Sequence, residues 1–425
     1  MVEMSDLTPA AIPRKFDPAL EGLRGLACLI VIFSHTTSGF ARAYFFPGVE
    51  AVLIFFLISG YVIGRTYDAE YSPEAAREYV WRRFVRLAPL NLLAVLLSVA
   101  VLPIDSLSTI IANIFFLQNW ESYLGIRLPP LKANWNLWSL NCEIVYYAIF
   151  LIFWRKRISS RNLVKLVGIF VVLSLTGWLW RQVQPKFLTF YCFGAIFWCL
   201  GLWLAWYGKS IASPGDDRAR LPWISIWLFL LATVQYHLPF SILDYFGYGW
   251  RKHSQISFIN LEILPLAFII LAGATSRVLP RPRLWWTLAL AQPLFMLEWN
   301  ALKGNPHWLA VDDFGIGNLL TLLGLILWPL KLSNRWLTLL CPVGLISYGI
   351  YIFQAPAITF VERHWLHFSD SFLNYLVRFG AILSLTFLIA FLGERILQPR
   401  VRQFLDQHFS PALRRKKTGV PVSIR

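Results

Sequence analysis

Charge is scarce in this sequence. Only 15% of its 425 residues are Asp, Glu, Lys or Arg, where a soluble domain carries about a quarter, and the shortfall excludes an ordinary water-soluble globule. Cysteine is sparse too. Cys28, Cys142, Cys192, Cys199 and Cys341 lie in or beside apolar segments without metal-ligand spacing, which argues against a zinc site or a disulfide framework and reads as small buried hydrophobes. The period-two alternation of barrel strands is missing, and with it a transmembrane barrel. No repeat and no low-complexity block is visible. No cleavable leader is expected, because the first apolar run starts about twenty residues in and is too long for the core of a signal peptide.

What is present is apolar: 57% hydrophobic residues, gathered in runs of about 16 to 23, the length that crosses a bilayer core of roughly 30 Å as helix. Backbone groups in lipid must be satisfied within the segment, so helices are the reading. Candidate spans are 20–40, 49–67, 87–103, 138–154, 163–180, 187–207, 222–239, 256–276, 284–299, 315–331, 338–360 and 375–396. Two of these, 222–239 and 284–299, are short or carry proline, so the expectation is an all-α polytopic transmembrane bundle of about ten to twelve spans. Twenty Trp and sixteen Tyr, many at run ends, match interfacial aromatic belts.

The net charge of +16 raises the possibility of a nucleic-acid partner, but its placement removes it. With gaps numbered alternately from an inside N-terminus, the inside ones hold roughly three times the Lys and Arg of the outside ones. The clusters "WRRFVR", "RKRISSR", "RVLPRPR" and "RRKK" all fall on one side. Both termini are therefore expected to be cytoplasmic, with a tail over 1–19, one membrane domain over 20–397 and a basic tail over 398–425.

Ionisable groups at bilayer depth cost several kcal/mol unless they face a bundle interior or a wet cavity. The first span, "EGLRGLACLIVIFSHTTSGF", keeps Glu21, Arg24 and His35. Eleven residues is about three turns, so Arg24 and His35 share a face roughly 16 Å apart, the shape of one wall of a tunnel. The plainer alternative is a hydrogen-bonded His with Arg24 snorkelling to the interface. Counted by helix rise, Glu143 in "NLWSLNCEIVYYAIFLIFW" comes to a depth similar to that of His35, where a carboxylate fixes an imidazole tautomer and raises its basicity. An interfacial carboxylate is the alternative. Ser59 falls mid-span beside Gly60, where a small-residue helix contact competes with chemistry. In "WRRFVRLAP", Arg83 and Arg86 are three apart and share a face. With Arg82 they form either a phosphate clamp or ordinary charge anchoring. "HWLH" (364–367) has no third ligand in sight, and no metal is expected.

Taken together, these pieces resemble acyltransferase family 3, integral membrane O-acyltransferases of sugars and cell-surface glycans, from about residue 17 to residue 400. "LRGLACLIVIFSH" supplies the family's basic residue, ten residues, then His, as Arg24 and His35. "IFFLISGYVI" resembles its second-span motif, "RRFVRLAP" its Arg-x-x-Arg, "LWSLNCEIVYY" its Trp-Ser-Leu…Glu segment, and "ISYGIYIFQAP" its late Ser-Tyr…Tyr span, containing Tyr348 and Gln354. There are departures. Leu53 stands where many relatives have Asp, with Glu50 three residues earlier. Glu21 replaces a common Asp. Gln354 replaces a frequent His, and Gln carries no proton. The extracytoplasmic esterase-like domain of some relatives does not fit in this length.

The resemblance implies an acyl-CoA donor, acetyl-CoA above all, on the cytoplasmic side of a bacterial inner membrane, and a hydroxyl acceptor on a sugar or lipid-linked glycan. It implies His35 as base with Glu143 orienting it, and Arg82, Arg83 and Arg86 on the CoA phosphates. Arg24 is expected to guide the donor or stabilise oxyanion charge, and Glu21, Ser59, Tyr348 and Gln354 to line the tunnel. An acyl-His35 relay is the variant within this class. The rival class is a proton-coupled secondary transporter, against which stand the lack of an inverted repeat and of paired broken helices.

Overall fold

The structure, a computed structural model, describes residues 16–37, 47–119, 123, 125–179, 186–209, 220–236, 258–302, 313–364 and 372–409. In chain order the helices are α1 (Pro18–Thr37), α2 (Gly48–Thr66), α3 (Pro73–Val101), α4 (Leu107–Ile114), α5 (Trp138–Arg155), α6 (Ser160–Leu179), α7 (Lys186–Tyr207) and α8 (Trp223–Tyr236). They continue as α9 (Leu264–Ala274), α10 (Pro282–Leu302), α11 (Asp313–Ile326), α12 (Cys341–Gly344), α13 (Ser347–His364), α14 (Phe372–Phe391) and α15 (Gln398–Phe409). Each of the twelve expected apolar stretches falls on a helix, and the chain is an all-α, multi-spanning membrane bundle. Six of the described helices are long and apolar enough to cross a membrane, or up to seven if one bent pair counts as a span. Three further apolar stretches form shorter helices among the described residues, Trp223–Tyr236, Asn260–Ala274 and Gly315–Ile326.

Glycines set the closest crossings. An ideal Cβ on Gly60 of α2 would lie 2.0 Å from the Trp198 carbonyl oxygen, and one on Gly201 of α7 would lie 1.9 Å from that of Leu57. The two backbones touch along a seam that only hydrogen side chains permit. Gly60 is thus the helix contact weighed for it, while its neighbour Ser59 faces a cavity. A second reciprocal crossing joins α1 to the segment before α13: a Cβ on Gly22 would meet the Leu337 oxygen at 1.8 Å, and one on Gly344 the Glu21 oxygen at 1.8 Å. That segment, Asn334–Gly344, meets Ser347–His364 at a bend of 58°. It is the one broken pair among the described residues.

Two prolines inside helices, Pro89 and Pro356, leave carbonyls that other elements satisfy. Pro89 in α3 has no N–H for the Val85 carbonyl, and the Gln398 side chain donates to that oxygen at 2.6 Å. Pro356 in α13 leaves the Ile352 carbonyl, and Asn134 donates to it at 2.9 Å. Such repair is what lipid demands of a broken helix.

The stretch Phe372–Phe409 is continuous helix with a π-turn at Leu392–Leu397. It is 38 residues long, or roughly 57 Å at helix rise, well beyond a bilayer core of roughly 30 Å. None of the residues of α15 is buried. The sequence places 398–409 in a basic tail; here these residues lie along the charged first half of α3.

Candidate active site

A cavity of about 730 Å³, open mouth included, lies between α1, α2, α3, α5 and α13. Arg24, Arg83 and Arg86 gather at one end, and Phe55, Ser139 and Tyr351 line the other. The lining residues of α2 run from Val52 to Val62, ten residues or roughly 15 Å of depth.

At the arginine end, Arg24 donates to Glu21 at 2.9 Å, one turn below it on α1. The Arg83 guanidinium stacks over the rings of Tyr147 at 5.0 Å and Tyr79 at 5.6 Å, contacts that hold a cation without consuming its donors. Arg86 lies within electrostatic reach of Arg24, Arg83 and Glu143. Arg82 points elsewhere: it is exposed and pairs with Glu78 at 2.6 Å. Helical geometry explains the split, since residues three apart share a face and adjacent ones do not.

Midway, Glu143 accepts hydrogen bonds from Ser59, at 3.0 Å, and from Tyr147. Ser139, Glu143 and Tyr147 stand four apart on α5 and form one polar stripe. Tyr348 donates to the Leu87 carbonyl at 3.0 Å, tying α13 to α3 across the arginines. Ser139 donates to the Tyr351 hydroxyl at 2.8 Å, which in turn donates to the Asn136 carbonyl at 3.1 Å.

His35 sits just past this end. Its neighbours are the side chain of buried Gln354, in hydrogen-bonding relation, and Trp135, edge-on with ring centroids 6.0 Å apart. Gln354 follows Tyr351 by three residues on α13, a rise of roughly 4.5 Å, so the imidazole stands about one turn beyond the cavity. The expected meeting of His35 with Glu143 is not made. Glu143 accepts both its hydrogen bonds from hydroxyls that line the cavity, because the face of α5 that carries it turns to α2 and α3. Among the described residues no cluster of three or more metal-ligating side chains occurs. Of "HWLH", His364 is exposed and packs on Phe360, and the rest lies outside the described residues.

Comparison with known proteins shows the family to which the chain belongs. The family model described as an acyltransferase domain matches residues 17–395, nearly the whole chain. The chain belongs to acyltransferase family 3. Among curated proteins it is similar to the peptidoglycan O-acetyltransferase OatA of Listeria monocytogenes, with 32% identity over 195 residues, 40% of this chain and 29% of that protein. It is also similar to the O-acetyltransferase OatA of Staphylococcus aureus, with 30% identity over 181 residues, 38% of this chain and 29% of that protein. A longer alignment, 23% identical over 417 residues, joins it to SACOL0978 of Staphylococcus aureus strain COL, covering 92% of this chain and 58% of the other. The matched stretch thus spans only 29% of the length of the first two relatives. No solved structure matches the chain.

Several lining groups of this family 3 member were not singled out from sequence. Ser139 and Tyr147 were legible as the four-residue spacing around Glu143, and Tyr351 as one turn beyond Ser347. Glu394 and Gln398 were not legible: they touch the site only through contacts more than forty residues apart in sequence. Glu50, noted for its place before the second-span motif, is buried and accepts from Asn260, away from the cavity.

Proposed function

We propose that this membrane protein transfers an acyl group, most simply acetyl, from acyl-CoA on the cytoplasmic side of a bacterial inner membrane to a hydroxyl of a sugar or cell-surface glycan. One observation carries the reading: a single cavity has three arginines at one end and leads, at the other, to within a helical turn of His35. Guanidinium forks match phosphate oxygens, so Arg83, Arg86 and Arg24 hold the phosphates of CoA. The pantetheine arm runs up the cavity past Ser59 and Glu143 and presents its thioester beside Tyr351.

His35 acts as the base. Its imidazole takes the proton of the acceptor hydroxyl, and the oxygen attacks the thioester carbonyl. The new C–O bond forms as the C–S bond breaks, and the CoA thiolate leaves with the proton from the imidazolium. Gln354 holds the ring without competing for the proton, since an amide does not titrate. Glu143 serves the donor side in this reading: its charge balances Arg83 and Arg86 while Ser59 and Tyr147 fix its position. Arg24, about three turns from His35, belongs with the phosphates rather than at the reacting carbon.

The test supplies membranes bearing the chain with acetyl-labelled acetyl-CoA and host glycolipids, and follows free CoA together with label in the glycan fraction. Stoichiometric appearance of both is the expected result. Substrate flux without CoA release would favour a transporter. For Arg83→Ala and Arg86→Ala the expected outcome is a rise in KM for acetyl-CoA of about tenfold to a hundredfold each, the loss of charge-assisted bonds worth ~1.5–3 kcal/mol, with kcat moving far less. Unchanged KM in both would remove the arginines from donor binding.

A further inference from the structure

The donor arginines are held from behind by a segment that the proposed chemistry does not use. At the π-turn, Glu394 accepts the backbone N–H of Gly349 at 2.5 Å. Gly349 lies in the first turn of α13, where N–H groups lack helical partners, so Glu394 caps the helix that carries Ser347, Tyr348 and Tyr351. The same carboxylate lies within electrostatic reach of Arg86 and Arg24. Four residues on, Gln398 donates to the carbonyls of Val85 at 2.6 Å and Arg86 at 3.1 Å, the first of which Pro89 leaves without its helical partner. Further along α15, Asp406 accepts from the Trp81 indole N–H at 2.7 Å. Three side chains of one helix thus grip α3 and α13 on either side of the arginines. π-turns inside long helices are frequent at functional sites because they re-aim the residues they contain. Here the extra residue brings Glu394 to the α13 N-terminus while Gln398 reaches α3.

We infer that Gln398 and Glu394 are positioning residues for the acyl-CoA phosphate clamp: the C-terminal helix is a strap that fixes the backbone at Arg86 and the first turn of α13. This rests on the acyl-CoA reading of the cavity. A free proline-adjacent carbonyl lets α3 flex at the point from which Arg83 and Arg86 project. The Gln398 amide removes that freedom without touching the ligand, and the Glu394 carboxylate sets the facing helix against it.

The experiment compares two donors on the full-length chain in membranes: acetyl-CoA, which carries the phosphates, and acetylpantetheine, which carries the same thioester without them. The readout is the ratio of their kcat/KM values for wild type, Gln398→Leu and Glu394→Ala, with folding checked by elution profile and thermal midpoint in detergent. Gln398→Leu is expected to lower the ratio about tenfold, chiefly through KM for acetyl-CoA, and Glu394→Ala to lower it in the same direction. If both donors fall together, the strap is merely structural and the inference is overturned. If neither donor changes in Gln398→Leu, it is overturned as well. A wild type indifferent to the phosphates would instead remove the clamp itself, and with it anything for the strap to position.

Discussion

His35→Ala reduces acyl transfer by about 10²- to 10⁴-fold, the range expected when a positioned base is removed. The expectation follows from where the imidazole stands. It is half-buried about one turn beyond a cavity whose other end is cationic, beside a non-titrating amide and an aromatic edge. The other described histidines, His364 and His408, are exposed near helix ends, and Gln354, the side chain beside the imidazole, cannot take over as proton carrier. Loss should therefore be deep, not partial. Stability should change less than activity, because a half-buried side chain contributes modestly to packing. The measurement is label transfer from acetyl-CoA to glycan, alongside thermal unfolding of both proteins in detergent. Activity within threefold of wild type in a folded variant would sink the assignment of His35 as base. Single-turnover trapping of an acylated imidazole would turn the base into a carrier and leave the same mutational result.

How much of this was legible in the sequence depends on the kind of information. Runs of apolar residues state their own structure in lipid, since the helix satisfies every backbone group locally, and each of the twelve expected stretches falls on a helix among the described residues. Separation along one helix was legible too, because rise is fixed: Arg24 and His35 lie on the continuous helix α1, about three turns apart, with Arg24 lining the cavity and His35 just past its other end. Azimuth was not. Whether Glu143 reaches His35 depends on which faces of α1 and α5 are turned together, and that is set by crossings such as Gly22 with Gly344 and Gly60 with Gly201, hundreds of ångström-scale choices away from any local pattern. Arg82 shows the same limit in miniature, one residue from Arg83 and facing the opposite way. Span number is a different matter: apolarity marks a helix but not the length it attains, and among the described residues the stretches near 222, 256 and 315 form the shorter helices Trp223–Tyr236, Asn260–Ala274 and Gly315–Ile326. The strap was invisible, because a glutamine in a basic C-terminal stretch announces nothing about a carbonyl freed by a proline three hundred residues before it.

A large effect on folding is expected at Gly201. Its absent Cβ would stand 1.9 Å from the Leu57 carbonyl oxygen, and that of Gly60 2.0 Å from the Trp198 oxygen, distances at which backbone rather than a pliable side chain must yield. Lipid supplies no hydrophobic force to press helices together, so α2 and α7 are joined by close packing alone, and separating them forfeits it along the whole seam. Gly201→Ala should cost about 1–3 kcal/mol, the usual range for overpacking, and Gly201→Val more, enough to prevent accumulation of folded protein. Gly168→Ala on α6, where a Cβ meets nothing within 4 Å, is the control and should be neutral or stabilising by up to about 1 kcal/mol through helix propensity. Thermal midpoints in detergent, with membrane accumulation as the second readout, separate the two. The functional consequence comes from the same seam: Ser59 and Phe56 line the cavity on the face of α2 beside Gly60. A folded Gly201→Ala protein should therefore lose donor affinity as well as stability. Equal stability of Gly201→Ala and Gly168→Ala would show that α2 and α7 do not meet backbone to backbone, and the cavity wall built on that contact would have to be drawn elsewhere.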